Sequence, residues 1–103
     1  MKTQALKEFL SESDKTAEDL LNEVNPKLKA KFQRALKSLD SIIDELREFY
    51  PDASYYVDDD EVNLMLGHSH TSHSGRQPEK NRELVADCAR KGLLVGKIGG
   101  GGW

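Results

Sequence analysis

Apolar residues recur between Asn25 and Pro51 in steps of four and three: Leu28, Phe32, Ala35, Leu39, Ile42, Leu46 and Phe49. This spacing is the a/d seam of a heptad pattern, and it predicts one long, coiled-coil-like amphipathic helix over about residues 26–50. Leu36, Ile43 and Tyr50 widen the seam into a face suited to a globular core, so Leu39 and Ile42 are expected to lie buried there. Both ends of the helix are specified locally. Asn25 suits the N-cap, and Pro26 suits the first helical position, where its missing N–H costs nothing. Pro51 drives Tyr50 out of helical angles and stops the helix.

Upstream, Ala5, Leu6, Phe9 and Leu10 predict a short helix over 2–10. A second helix over 15–24 carries Ala17, Leu20, Leu21 and Val24 inward, with Ser13 or Asp14 as its expected cap. After Pro51 the apolar period changes to two. Residues 54–57 and 62–66 read as strands joined by a hairpin loop at Asp58-Asp59-Asp60-Glu61. Val62, Leu64 and Leu66 are expected to face the long helix, with Asn63 and Met65 on the other side. A polar loop spans 68–77. Pro78 then opens an expected helix over 79–91, with Leu84, Val85, Cys88 and Ala89 on one face and Gly92 as its cap. Residues 93–98 read as a third strand. The fold class is therefore α+β: helices packed on a small, mostly antiparallel sheet. The chain reads as a single domain over residues 1–103. Within it, residues 1–50 are helical, residues 51–98 hold the hairpin, the polar loop, a helix and a strand, and residues 99–103 form a flexible Gly-Trp tail.

Charge refines this picture. Residues 1–50 carry nine bases and ten acids, residues 51–66 five acids and no base, and residues 67–103 six bases and three acids. On the long helix itself Lys27, Lys29, Lys31, Arg34 and Lys37 precede Asp40, Asp44, Glu45 and Glu48. That order opposes the helix dipole, which favours acids first. Three partners would offset it: acids of the preceding helix (Glu18, Asp19, Glu23), a second copy forming an antiparallel homodimer, or a polyanion on the basic half. The acids that follow on the same helix repel phosphate and weigh against a nucleic acid. The single cysteine, Cys88, permits no internal disulfide, and no apolar run is long enough to span a membrane. A soluble protein in a reducing, intracellular setting is expected.

Candidate chemistry is sparse. His68, His70 and His73 have a spacing that suits zinc or another divalent transition metal, with Asp58 or Asp60 completing the shell. The H-x-H-x-x-H order resembles the metallo-β-lactamase motif. Ser72 stands where that motif needs aspartate, however, and 103 residues cannot hold its fold. Arg90 is the base nearest Cys88 in sequence, but on an apolar helix face the thiol reads as a small buried side chain; no nucleophile elbow or phosphate loop occurs, so no enzyme and no required cofactor are expected. Tyr55, Tyr56, Asp58, Asp59, Asp60 and Trp103 are the candidate binding residues. Trp103, behind four glycines, has the form of an anchor for a groove on this domain or on a partner.

Tyr55-Tyr56, Asn63-Leu64-Met65-Leu66-Gly67, Ser69-His70 and the final Gly-Gly-Gly-Trp resemble a group of small phage and prophage proteins. That group has a tyrosine pair, an N-L-M-x-G-x-S-H turn and a G-G-x-W end. Thr71 replaces the aspartate usual after Ser-His, and His68 and His73 are additional. The resemblance implies a small accessory protein made by a phage in a bacterial cytoplasm and transfers no catalytic role. The expected function is protein–protein binding that modulates a host or phage protein. The alternatives are a metal-dependent function at the histidines and a nucleic-acid accessory role for Lys27–Lys37.

Overall fold

The computed structural model describes residues 1–58, 61–89, 93–94 and 96–103. The chain divides into two compact units, Met1–Leu39 and Asp40–Trp103. Its described elements give the expected α+β class: three helices, one of them long, and a small antiparallel sheet.

In the first unit, α1 spans Thr3–Glu12 and α2 spans Ala17–Val24, close to their predicted bounds. The cap of α2 differs from expectation. Thr16 takes that role, because Asp19 lies three residues on and completes a reciprocal capping box that Ser13 and Asp14 cannot form. The Thr16 hydroxyl accepts the Asp19 N–H at 3.2 Å, and the Asp19 carboxylate accepts the Thr16 N–H at 2.9 Å. Hydrogen bonding of the carboxylate by Thr16, first from its backbone N–H and second from its side chain, holds the Asp19 carboxyl below its ordinary range. The long helix α3 spans Leu28–Arg47. Asn25 Oδ1 accepts the Lys27 N–H at 2.9 Å and so prepares its start. At its far end the Phe49 and Tyr50 N–H groups both donate to the Leu46 carbonyl, at 3.0 and 2.7 Å, a tightened turn just ahead of Pro51. Lys29 forms an ion pair with Glu18 of α2, and Lys15 pairs with Glu23. The first of the expected offsets to the reversed charge order is therefore present within this unit.

The second unit holds the end of α3 and the sheets. Strands β1 (Ser54–Asp58) and β2 (Glu61–Met65) form the predicted antiparallel hairpin, from Ser54↔Met65 to Asp58↔Glu61. The loop residues Asp59 and Asp60 lie outside the described residues. Two two-residue strands, β3 (His70–Thr71) and β4 (Glu79–Lys80), pair across the polar loop. A 3₁₀ turn at Arg82–Leu84 leads into β5 (Val85–Cys88), which pairs antiparallel with β2. Ala86 is skipped by a bulge between the Leu64↔Asp87 and Met65↔Val85 pairs.

Three expectations are overturned here. The predicted helix over 79–91 is instead β4, the 3₁₀ turn and β5, with residues 90 and 91 outside the described residues. The apolar positions fit either period over so short a run, and the second edge of β2 decides the matter. Ala89 N–H donates to Val62 O at 2.9 Å, and Leu66 N–H donates to Leu84 O at 3.0 Å. The predicted strand over 93–98 is absent from its described residues. Leu94 has φ of +63°, and Lys97 N–H closes a turn onto Leu94 O at 2.9 Å, so these backbone groups are satisfied locally. The expected order of burial on β2 is reversed as well. Met65 is fully buried and Asn63 nearly so, whereas Val62, Leu64 and Leu66 are half-buried. Burial of Asn63 is tolerated because its amide donates to Tyr56 O at 3.2 Å.

The core lies off the predicted seam. Among the described residues its buried apolar members are Ile43, Ala53 and Met65, all in the second unit. Arg47 Nε donates to Ala53 O at 2.9 Å and ties the end of α3 to the chain that follows. The seam residues Leu39 and Ile42, expected in the core, remain 41% and 39% exposed.

Candidate functional site

Tyr56 and Trp103 stand 47 positions apart in the chain, and the fold brings these two candidate binding residues together. Strand alternation sends Tyr56 to one face of β1 and Tyr55 to the other. The Tyr56 ring lies 5.0 Å from the Trp103 ring and 5.5 Å from the His70 imidazole, the latter nearly edge-on at 73°. His70 and Trp103 centroids are 5.9 Å apart. The Arg82 guanidinium carbon stands 5.4 Å from the indole centroid, within cation–π range. Hydrogen bonds fix the group: the Tyr56 hydroxyl donates to Gly102 O, and His70 Nε2 lies 3.2 Å from the Trp103 main-chain oxygen. A main-chain oxygen only accepts, so Nε2 carries the proton, and Nδ1 accepts from the Ser69 hydroxyl at 2.9 Å.

The loop that presents His70 is held by Asn81, a residue with no distinguishing sequence pattern around it. Asn81 is 6% exposed, and its amide donates to His68 O at 3.0 Å and to Thr71 Oγ1 at 2.9 Å. Its backbone N–H donates to Ser69 O at 2.8 Å. Arg82 follows directly and is thereby aimed at the indole. Both residues fall within the segment expected to be helical, which hid them.

The remaining candidates disperse. Tyr55 is half-buried, and desolvation first, with the Asp40 charge second, raises its phenol above the ordinary range. Asp58 ends β1 opposite Glu61. The three histidines go to three different partners: His68 Nε2 lies 3.4 Å from Asp52 Oδ1, His70 joins the aromatic cluster, and His73 Nε2 lies 3.0 Å from Glu79 Oε2. Among the described residues no group of three or more His, Cys, Asp or Glu side chains is placed to hold a metal ion.

The first unit carries a different surface. Leu21, Leu28, Phe32, Ala35 and the stem of Lys31 line an open apolar concavity of about 530 Å³. Phe32 is 60% exposed, and Leu36 and Leu39 stand beside it on the same helical face with about two-fifths of their surface in solvent. Among the described residues no helix is long and apolar enough to cross a membrane. No family model matches the chain, nor does any curated protein or solved structure.

Proposed function

We propose that this chain is a non-enzymatic binding protein, a phage-type accessory factor that acts in a bacterial cytoplasm by docking on a host or phage protein and modulating it. One observation carries the reading: Phe32, Leu36 and Leu39 present a continuous apolar helix face to solvent. Large exposed apolar patches on a small folded chain mark contact surfaces, and residues repeating on one helix face are the usual anchors of a helix laid into a groove. Helical spacing puts Lys29 and Lys31 at the two edges of this face, and Glu18 already pairs with Lys29, so the surface suits a partner that is apolar at its centre with an acid along the Lys31 edge.

A second copy meets the same description. The helix has a basic first half and an acidic second half, so two copies side by side in opposite directions place unlike charges together. Setting Phe32 against Ile42 of the second copy brings Lys31 near its Glu45. The deciding experiment is capture from bacterial lysate with N-terminally tagged chain, analysed by mass spectrometry beside a Phe32→Glu control. One stoichiometric protein that the control loses supports modulation of a partner. Bait alone, with a native mass of two chains that Lys31→Glu reduces to one, supports self-association. Identical captures by both chains, with a monomeric native mass, would sink the reading.

A further inference from the structure

A segment of four glycines and one tryptophan has little intrinsic order, yet Gly100, Gly102 and Trp103 each meet a matching feature of the second unit. A Cβ added at Gly100 would lie 2.7 Å from Val57 Cγ1 and 3.2 Å from Val57 Cβ, so the strand surface there admits glycine and rejects larger residues. The main-chain oxygens of Gly102 and Trp103 accept from Tyr56 and His70. The indole rests beside Tyr56 and His70 with the Arg82 cation over its ring. Steric exclusion, backbone hydrogen bonds and an aromatic anchor together are what a peptide-recognition site uses.

We propose that Tyr56, His70 and Arg82 form a receptor site for a Gly-Gly-Trp segment, filled in cis by residues 100–103 and able to take the tail of a second copy in trans. Every copy carries both halves of the contact. Exchanging an identical element between copies changes no contact type and forfeits only the local concentration of the tether. For a short flexible linker that concentration is in the millimolar range, so cis docking dominates in dilute intact protein and trans docking shows once the cis pair is broken.

Two full-length variants separate the halves. Trp103→Ala keeps the cradle and removes the only tryptophan, which makes the chain silent in tryptophan fluorescence. His70→Ala/Arg82→Ala keeps the tail and breaks the cradle. The readout is acrylamide quenching of the indole. In the intact chain the indole should be quenched several-fold less readily than in a free Gly-Gly-Gly-Gly-Trp peptide, and in the double variant nearly as readily as in the peptide. Adding Trp103→Ala chain to the double variant should restore protection and saturate. Adding a triple variant, which lacks both halves, should not. An intact chain quenched as freely as the peptide overturns the receptor site. Protection in cis, with none restored by Trp103→Ala chain at about millimolar concentration, overturns its use in trans. If the double variant fails to fold by circular dichroism, Gly100→Val replaces it in the cis comparison and should release the indole without altering the cradle. The trans test then uses the free peptide titrated into Trp103→Ala chain, where no rise in peptide anisotropy at the same limit counts against trans docking.

Discussion

Replacing Leu39 by Asp and, separately, Met65 by Ala separates a contact face from a core. Full burial of a large apolar side chain contributes about 1.5–3 kcal/mol. Leu39 is 41% exposed, so its share within one chain is about 1–2 kcal/mol, and a carboxylate there still reaches water. Met65 has no exposed surface, and truncating such a side chain to Ala costs about 2–5 kcal/mol through lost contacts and the cavity left behind. At about 4–8 °C per kcal/mol for a domain of this size, Met65→Ala should lower the melting temperature by at least about 8 °C. Leu39→Asp should lower it by about half as much or less. The assay is thermal melting by far-ultraviolet circular dichroism at low micromolar chain, where self-association adds little to apparent stability. The same Leu39→Asp chain should lose any partner captured by the unmodified protein. If Leu39→Asp melts as low as Met65→Ala in dilute solution, Leu39 is core and the exposed-face argument fails.

Acid should release the start of α2. The Asp19 carboxyl is depressed in the folded chain, so its contribution is complete above the unfolded carboxylate range and is lost as pH falls through the lower folded value; Asp19→Asn should remove that pH dependence of helicity, and Thr16→Ala, which keeps the backbone N–H, should only reduce it. Alkali acts on Tyr55 in the opposite sense. Its raised phenol contributes stability that is complete below about pH 10 and is lost as pH rises through the folded value, and ultraviolet titration of Asp40→Asn should show the phenol ionising earlier. Asn81→Ala should cost about 1–3 kcal/mol in a chemical denaturation series, because the carbonyl of His68 and the hydroxyl of Thr71 lose a common donor. It should also broaden the His70 signals in proton NMR, an effect that Asn81→Asp would not rescue.

The residues that stop and start elements act through their own neighbours, and these features are legible in the sequence. Pro51 ends α3, Asn25 prepares it, and the change from a helical to a two-residue period at Ser54 marks the hairpin, because each depends on local backbone geometry. Which apolar residues become core depends on tertiary contacts. The heptad seam is as good a pattern for a partner-covered helix as for a buried one, and only the fold shows Ile43 buried while Leu39 and Ile42 remain half-exposed. Residues 85–88 carry too few apolar positions to fix a period, so the free edge of β2 makes them a strand. Tyr56, His70 and Trp103 are legible in the sequence only as isolated candidates, and Arg82 not at all. Their meeting depends on the hairpin register, on the Asn81 staple and on a glycine tail thin enough to lie against Val57, and no local pattern encodes a contact between residues that far apart in the chain.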